Sequence, residues 1–336
     1  MNNHARVGVA GFRGYSGREL VAILARHPHV EPVLLEHRET DDRAQPVGPA
    51  QFARLPCTAE AVRAEGLAAV FLATPAQASL ELVPDLLGAG IIVIDLSGAF
   101  RLGTAENYTR WYGEPHTAPE LLTEAAYGLP EFCRARIAQA RLIANPGCYP
   151  TAANLALKPL LDANVIVRES GIVCDAKSGV SGAGRKASLK TSFCEVTENF
   201  AAYAILEHRH VPEILRTSGL DEGELSFTAQ LIPIDRGILE TIYFRAKNIT
   251  FAHDLFDIYH ARYQHEPMLR LYQPGQVPDV RSVARTNFCD LGMCYDARTS
   301  RAVIVAAIDN LGKGAAGQAV QNVNLALGFP ETAGLL

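Results

Sequence analysis

The sequence of 336 residues lacks an apolar run long enough to cross a membrane. Its longest apolar segments, such as Ala302–Ile308 and Ile91–Ile94, are far shorter than the roughly 20 residues that a spanning helix needs. The N-terminal residues Met-Asn-Asn-His-Ala-Arg have neither the basic start nor the apolar stretch of a signal peptide. We therefore expect a cytoplasmic protein with no membrane partner.

An excess of positive charge and a regular cysteine spacing are also missing. The 31 Lys and Arg residues are scattered and are outnumbered by 36 Asp and Glu, so the net charge of −5 predicts no nucleic-acid partner. The seven cysteines are widely spaced and contain no Cys-x-x-Cys motif. This pattern favours reduced thiols over a disulfide framework, and it predicts no structural zinc and no other metal.

What is present is the composition of an ordinary globular protein, with 48% hydrophobic and 20% charged residues. The length favours about two domains. Up to residue 144, short apolar runs alternate with helical patterns, which predicts a parallel sheet covered on both faces. The predicted strands are Arg6–Ala10, Val30–Leu35, Ala68–Ala73, Ile91–Asp95 and Arg141–Ala144, and the predicted helices are Ser16–Arg26, Ala59–Glu65 and Ser79–Leu87. We expect residues 39–56 to form a loop and residues 98–135 to be irregular.

After residue 146 the pattern changes to strands with few helices between them, which predicts a mixed or antiparallel sheet. The predicted strands are Val165–Ala176, Leu225–Ile234, Gly237–Arg245, Asp290–Tyr295 and Arg301–Ile308, and the predicted helices are Pro150–Leu161, Ala252–Tyr263 and Ala315–Gly328. We place the domain boundary near residue 148. The last helix could pack on either domain.

A glycine-rich turn, Gly11-Phe-Arg-Gly14-Tyr-Ser-Gly17, joins the first strand to the first helix. Glycine permits a tight turn and lets a pyrophosphate approach bare N–H groups at a helix N-terminus. The spacing is a variant of the dinucleotide-binding fingerprint, and the alternative is an ordinary turn between a strand and a helix. We assign to the cofactor the residues Gly11, Arg13, Gly14, Tyr15, Ser16 and Gly17.

The preference between the two nicotinamide cofactors stays open at the end of the second strand. There, Glu36 would suit the ribose hydroxyls of NAD, whereas Arg38 would suit the 2′-phosphate of NADP. Arg13 is a further possible phosphate partner, and any of the three side chains could simply be solvated.

A candidate nucleophile, Cys148, stands in the segment Asn145-Pro-Gly-Cys-Tyr-Pro-Thr151, between the last strand of the first half and a strong helix. The positive end of that helix would stabilise a thiolate and lower the pKa of the thiol. The carboxyl edge of a parallel sheet is also where a nicotinamide would lie. We interpret the other six cysteines as small buried apolar residues.

A thiolate nucleophile needs a partner that carries a proton, and the dense histidine cluster is His208-Arg-His210-Val-Pro-Glu213. In an extended segment both imidazoles would lie on one face. One could donate the proton while the other, with Glu213, orients or binds substrate, and we favour His208 as the donor. The alternatives are a metal site without evident third and fourth ligands, or a polar loop.

A second glycine-rich segment, Ser178-Gly-Val-Ser-Gly-Ala-Gly-Arg185-Lys186, has the composition of an anion-binding nest. Ser178 and Gly179 have the chemistry to hold the phosphate or carboxylate of a substrate. Of the two ligands, however, we assign these residues to the cofactor. We assign Ser181, Gly182 and Arg185, together with Glu213, to the substrate. A flexible surface loop is the alternative.

Taken together, these segments resemble N-acetyl-gamma-glutamyl-phosphate reductases over essentially the whole chain. The resemblance rests on the segments above and on Asp95-Leu-Ser-Gly-Ala-Phe-Arg101, Ala126-Tyr-Gly-Leu-Pro-Glu131, Pro233-Ile-Asp-Arg236 and Asp309-Asn310-Leu-Gly-Lys313. It implies an α/β fold, with an N-terminal Rossmann-type parallel sheet plus a C-terminal α+β catalytic domain of the semialdehyde dehydrogenase type. Phe12 and Arg13 depart from the small residues usual in the turn.

The resemblance also implies a cofactor and an assembly. It implies NADP(H), a homodimer or homotetramer, and Asn310 and Lys313 near the nicotinamide. Residues 1–148, completed by the helix within 312–336, would bind NADP, and residues 149–311 would carry catalysis and dimerisation.

The implied reaction is the NADPH-dependent reduction of N-acetyl-gamma-glutamyl phosphate to N-acetyl-glutamate 5-semialdehyde in arginine biosynthesis. It would pass through a thioester on Cys148 and release phosphate. Three rivals stay open: a reductase of aspartyl or aminoadipyl phosphate, a nucleotide-sensing module without chemistry, and a cysteine hydrolase that would leave the glycine turn without a purpose.

Overall fold

The computed structural model describes residues 4–37 and 52–336. The chain forms two compact units, one comprising residues up to Asn145 together with Ala316–Leu336, the other Pro146–Ala315. The division between the units therefore falls next to the segment that contains Cys148.

The first unit contains a seven-stranded parallel sheet with the strand order β3-β2-β1-β4-β5-β7-β6. Its strands are β1 Ala5–Ala10, β2 Val30–Glu36, β3 Arg54–Pro56, β4 Ala69–Leu72, β5 Ile92–Asp95, β6 Ala126–Tyr127 and β7 Leu142–Ala144. Its helices are α1 Tyr15–Leu24, α2 Ala59–Ala64, α3 Ala76–Gly88, α4 Ala105–Tyr112, α5 Leu121–Glu124, α6 Pro130–Ile137 and α12 Gly317–Ala326.

The hydrophobic residues of this unit form two clusters, as expected for a sheet covered on both faces. Along β4 the side chains alternate between the clusters: Ala69 and Phe71 belong to one, Val70 and Leu72 to the other. Helix α12 packs into the first of these through Ala319, Val320 and Val323, which resolves the placement of the last helix.

Two predictions within the first unit are wrong. Residues 54–56 are not loop but the edge strand β3, which pairs in parallel with β2. Residues 98–135 are not irregular, because they contain α4, α5, β6 and most of α6. Their many aromatic, proline and polar residues conceal the periodicity, while local signals such as the Thr104 side chain capping α4 determine the helix.

The second unit contains a seven-stranded mixed sheet with the order β12-β13-β14-β11-β8-β10-β9. Its strands are β8 Ile172–Gly179, β9 Ala201–Tyr203, β10 Leu225–Ile232, β11 Ile238–Arg245, β12 Leu269–Leu271, β13 Cys289–Asp296 and β14 Arg301–Ile308. Its helices are α7 Cys148–Asp162, α8 Phe193–Val196, α9 Val211–Ser218, α10 Ala252–Tyr263 and α11 Val280–Val283. The predicted α/β fold with a parallel sheet and a second, mixed sheet is thus confirmed.

Helix α7 packs against β11, β14, α9 and α10, and almost all of its side chains are buried. The strand predicted at 165–176 begins only at Ile172, after a 3-10 turn at Arg168–Ser170. Helix α9 was not predicted, because it has only eight residues; Pro212 in its first turn is a helix-start signal that could have indicated it.

The core of the second unit contains a buried carboxyl group. The Glu240 side chain on β11 is fully buried; its Oε2 accepts a hydrogen bond from Cys174 Sγ at 3.6 Å, and its Oε1 has no hydrogen-bond partner among the described residues. Burial raises the pKa of Glu240 well above its usual value.

This carboxyl group makes the stability of the protein depend on pH. The folded state keeps the Glu240 proton to a higher pH than the unfolded chain does, so the stabilisation present at acid pH is lost as pH rises through the folded-state pKa. We expect Glu240→Gln to weaken the decrease in Tm between about pH 5 and pH 9. Thermal unfolding at several pH values measures this, with the exposed Glu169→Gln as control, and equal slopes for Glu240→Gln and wild type would contradict it.

Candidate active site

The glycine turn of the first unit contains two kinds of glycine. Gly11 has a φ of +75°, and a methyl group on it would lie 2.2 Å from the Ala73 carbonyl oxygen, so the turn itself requires this glycine. Gly14 has an extended conformation, and a methyl group there would meet only the Gly11 carbonyl oxygen, at 3.4 Å. The first unit therefore does not itself require glycine at position 14, and bare backbone there suits a ligand that approaches closely.

Helix α1 begins at Tyr15, directly after its N-cap Gly14, and Ser16 is its second residue. No side chain of the described part of the chain caps it, and its first turn has no acidic residue. The positive end of the helix is therefore left without a local anion, which fits the phosphates of a dinucleotide.

At the carboxyl end of β2 the charge of Glu36 is already neutralised. Arg13 donates two hydrogen bonds to the Glu36 carboxylate, at 2.7 and 2.9 Å, and the guanidinium of Arg54 lies 3.7 Å from the same group. Both guanidinium groups also lie over the Phe12 ring, at 4.5 and 5.8 Å from its centroid. Arg38 lies outside the described residues.

In the second unit, Cys148 is the first residue of α7. Gly147 is the N-cap; its N–H donates to Glu213 Oε2 at 2.9 Å, and its carbonyl accepts from Thr151 Oγ1 at 2.9 Å. A methyl group on Gly314 would lie 2.9 Å from Cys148 Cβ, so the π-helical turn Gly312–Ala316 comes close to the thiol residue. The helix N-terminus favours an anion at this sulfur.

Both predicted histidines lie beside this residue, although the segment is not extended. His210 is the N-cap of α9 in a helical conformation, and a methyl group on Gly147 would lie 2.6 Å from His210 Nε2. The His208 ring lies edge-on to His210, at a centroid distance of 4.8 Å. Glu213 is completely buried against the Gly147 N–H and does not line the cavity described below.

The tautomer of His208 follows from its contacts. Its Nδ1 accepts the backbone N–H of His210 at 3.1 Å, so the neutral ring carries its proton on Nε2. Burial and the nearby charge of Arg209 lower the pKa of His208 to about 4, so this ring is neutral at pH 7 and can donate from Nε2.

The second glycine segment forms part of the same site. Asn310 Nδ2 donates to Ser181 Oγ at 3.0 Å, and Ser181 Oγ donates to the Asp235 carbonyl at 2.6 Å. A methyl group on Gly182 would lie 2.9 Å from Ser178 Oγ, so these four predicted residues converge. Gly179 lies against the backbone of Asp235 and Arg236.

Two further predicted residues do not line the cavity. Arg185 is exposed and does not line the cavity, and Lys313 is completely buried within the π-helical turn.

The thiol and both imidazoles open onto a cavity of about 640 Å³ within the second unit. Ser178 and Gly182 also line it, as do residues that the sequence did not suggest: Tyr149, Ser188, Lys190, Thr191, Glu195, Asn199, Ala201, Ala202, Tyr203, Ala204, Glu207, Arg209 and Leu231. The Tyr149 and Tyr203 hydroxyls lie 3.3 Å apart, and burial raises the pKa of both. Of these lining residues, Arg209 lies between the two histidines in the sequence. That position is the signal from which the sequence could have indicated it as a site residue.

Among the described residues, no helix is both long and apolar enough to span a bilayer. Nor do residues 4–37 and 52–336 contain a group of three His, Cys, Asp or Glu side chains placed to bind a metal ion.

Two family descriptions match most of the chain. "Semialdehyde dehydrogenase, NAD binding domain" matches residues 6–140, and "Semialdehyde dehydrogenase, dimerisation domain" matches residues 148–310. N-acetyl-gamma-glutamyl-phosphate reductases of Citrifermentans bemidjiense and Symbiobacterium thermophilum are each 46% identical, over 98% of this chain and 97% of theirs.

Solved structures show the same fold at lower identity. Aspartate semialdehyde dehydrogenase II of Vibrio cholerae matches with a TM-score of 0.73 and 19% identity, over 97% of this chain and 98% of that one. The Candida albicans enzyme, solved with NADP, has a TM-score of 0.66 and 14% identity, over 96% and 98%.

Proposed function

This chain belongs to the semialdehyde dehydrogenase family, on the N-acetyl-gamma-glutamyl-phosphate reductase branch, and we propose that it reduces N-acetyl-gamma-glutamyl phosphate to N-acetyl-glutamate 5-semialdehyde. This is the arginine-pathway step implied by the names of its relatives. The observation that carries the proposal is a cysteine at a helix N-terminus, facing a cavity beside two histidines.

Cys148 is the nucleophile of the proposed reaction. Its thiolate attacks the acyl carbon, a carbon–sulfur bond forms, and the bond from that carbon to the phosphate oxygen breaks. The phosphate departs with the electron pair of the broken bond and takes up one proton. NADPH, when bound, supplies the hydride that reduces the thioester carbonyl. Cleavage of the carbon–sulfur bond then releases the aldehyde and regenerates the thiolate.

The two histidines have different positions and, we propose, different roles. His210 Nε2 packs against the residue before the nucleophile, so we assign proton transfer at the reacting oxygen to His210. His208, neutral and protonated on Nε2, can donate a hydrogen bond to the same oxygen as negative charge develops. The sequence favoured His208 for proton transfer; the packing of His210 on Gly147 supports the exchange of roles.

The remaining site residues hold groups in place. Glu213 accepts the hydrogen bond that the Gly147 N–H donates and so holds the residue before the nucleophile in place. It is therefore a positioning residue. Ser178, Ser181, Gly182 and Asn310 converge beside the cavity and would bind the transferred phosphate or the adjacent part of the cofactor.

The first unit would bind NADP(H). Gly11, Gly14 and Gly17 with the N–H groups of Tyr15 and Ser16 would hold the pyrophosphate. The bonding of Glu36 to Arg13 supports NADP(H) over NAD(H), because the carboxylate is no longer free to bind ribose hydroxyls.

Arg54 would then bind the 2′-phosphate of NADP. Its guanidinium is exposed and, at 3.7 Å from Glu36, remains able to bind a second anion. We expect Arg54→Ala to raise the KM for NADP⁺ by about tenfold and to leave the KM for NAD⁺ nearly unchanged. Steady-state kinetics with both cofactors measure this, and the exposed Arg63→Ala is the matched control. An equal change with both cofactors would contradict it.

The proposed function is tested in the reverse direction, with N-acetyl-glutamate 5-semialdehyde, phosphate and NADP⁺, by the absorbance of the reduced nicotinamide. We expect phosphate-dependent turnover with this aldehyde and much less with aspartate semialdehyde. Preference for aspartate semialdehyde, or turnover that does not need phosphate, would overturn the proposal.

We further propose that the enzyme works in the cytoplasm as a homodimer or homotetramer. The seven cysteines, none of which forms a disulfide, support a reducing compartment. The match of residues 148–310 to a dimerisation domain supports self-association.

A further inference from the structure

One wall of the cavity is an exposed strand edge. Strand β9 is the last strand of the second sheet, and within the described residues it pairs only with β10, through Ala201–Tyr203. In an antiparallel edge strand, the N–H and C=O of every second residue point away from the sheet. Ala201, Ala202, Tyr203 and Ala204 all line the cavity, so the outer edge of β9 borders the substrate space.

Small side chains leave this edge accessible. Ala201 and Ala202 are exposed, and a methyl side chain cannot shield the backbone on either side of it. A peptide-like group can therefore pair with this edge in the way that an added strand does, with one amide donor and one amide acceptor.

A cation stands next to the end of the strand. Arg209 lines the cavity together with Tyr203 and His208; its positive charge opposes the rise that burial causes in the pKa of Tyr203 and adds to the fall that burial causes in the pKa of His208. Arg209 forms no ion pair with any residue that the structure describes. Lys190, Glu195 and Glu207 also line the cavity, so with Arg209 the two positive and two negative charges cancel. The net charge of the cavity therefore does not attract a carboxylate, and the position of Arg209 beside β9 is what suggests that it binds one.

Strand β9 borders the same cavity as the nucleophile Cys148. Tyr203 reaches Tyr149, the residue after Cys148, through the two hydroxyls 3.3 Å apart. In an acyl phosphate of glutamate, four single bonds separate the reacting carbonyl from the α-nitrogen, an extended span of roughly 5 Å. A substrate bonded at Cys148 therefore extends its α-substituents into the cavity that β9 borders.

We propose that the outer edge of β9 binds the acylamino group of the substrate by strand-like pairing, and that Arg209 binds its α-carboxylate. The site thereby recognises an N-acylated amino acid as a fragment of extended peptide. This inference rests on the proposed function and assigns the part of the cavity that distinguishes an N-acyl substrate from a free amino acid.

The first test pairs a variant with a matched substrate. Reverse turnover is measured with N-acetyl-glutamate 5-semialdehyde and with its α-methyl ester, which lacks the carboxylate. We expect Arg209→Gln to lower kcat/KM for the free acid roughly tenfold or more, to change that for the ester less than about twofold, and Arg209→Lys to restore most of the loss. Lys190→Gln is the matched control and should not discriminate between the two aldehydes.

The second test removes the amide donor from the substrate. N-Methylation of the acetamido nitrogen should lower kcat/KM of the wild-type enzyme about tenfold, because a strand-edge carbonyl loses its partner. Wild-type turnover of the parent aldehyde reports on the proposed function, and the ratios between aldehydes report on this inference. The inference is overturned by equal rates with the N-methyl analogue, by an equal loss of acid and ester in Arg209→Gln, or by a selective loss in Lys190→Gln. A wild-type enzyme that does not turn over the parent aldehyde overturns both proposals.

Discussion

Cys148→Ser is expected to abolish phosphate-dependent turnover, lowering kcat by about a thousandfold or more, because a hydroxyl is far less nucleophilic than a thiolate at neutral pH. The substitution exchanges sulfur for oxygen at the first residue of α7 and leaves the Gly147 contacts with Glu213 and Thr151 in place. The glycine turn belongs to the other unit, so NADP(H) affinity should be unchanged. Steady-state kinetics and fluorescence titration with NADPH measure the two quantities.

The matched control for this prediction is Cys194→Ser. Cys194 lies in the same unit and does not line the cavity. It is exposed, and Cys133 and Cys294 are half-buried, so the prediction that the six other cysteines are buried is wrong for these three and confirmed for Cys57, Cys174 and Cys289. The replacement of Cys194 should leave turnover unchanged. In that variant, iodoacetamide should still abolish turnover by labelling one thiol per chain, that of Cys148. Near-normal turnover by Cys148→Ser would disprove the thioester mechanism, whereas loss of NADPH binding in the same variant would point to a folding defect.

The elements that the sequence predicts correctly are those with a clear apolar pattern, which is an almost unbroken buried run in β14 and buried residues at helical spacing in α10. Strand β14 and helix α10 begin and end where their apolar patterns begin and end. Cys148 could be identified because Pro146, Gly147 and Pro150 mark a helix start directly after a strand. These signals are local, and a single sequence is enough to read them.

The parts that could not be predicted depend on pairing between distant segments. Arg54 reaches Glu36 only because β3 adds to the edge of β2, and a three-residue strand has no periodicity. The strand-edge wall at Ala201–Tyr203 likewise exists only because β9 pairs with β10, which lies over twenty residues further along the chain. The role of Glu213 depends on α9, a helix of only eight residues whose register turns the carboxylate towards Gly147.

Gly147→Ala is expected to lower kcat roughly a hundredfold by displacing an imidazole. A methyl group at this position would lie 2.6 Å from His210 Nε2 and 2.9 Å from two ring carbons, which is closer than van der Waals contact permits. The backbone of Gly147 has φ −67° and ψ 156°, a conformation that alanine adopts without strain. The ring is the movable partner, so the variant should fold and lose the general acid–base contribution, which is worth about a hundred- to ten-thousandfold.

A double-mutant cycle separates this mechanism from general disruption of the helix start. His210→Ala alone should lower kcat to a similar extent. Once the ring is absent, the added methyl group has room, so Gly147→Ala in the His210→Ala background should cost little more. Multiplicative losses in the double variant would instead show that the methyl group acts through the Gly147 N–H contact with Glu213 or through the position of Cys148 itself.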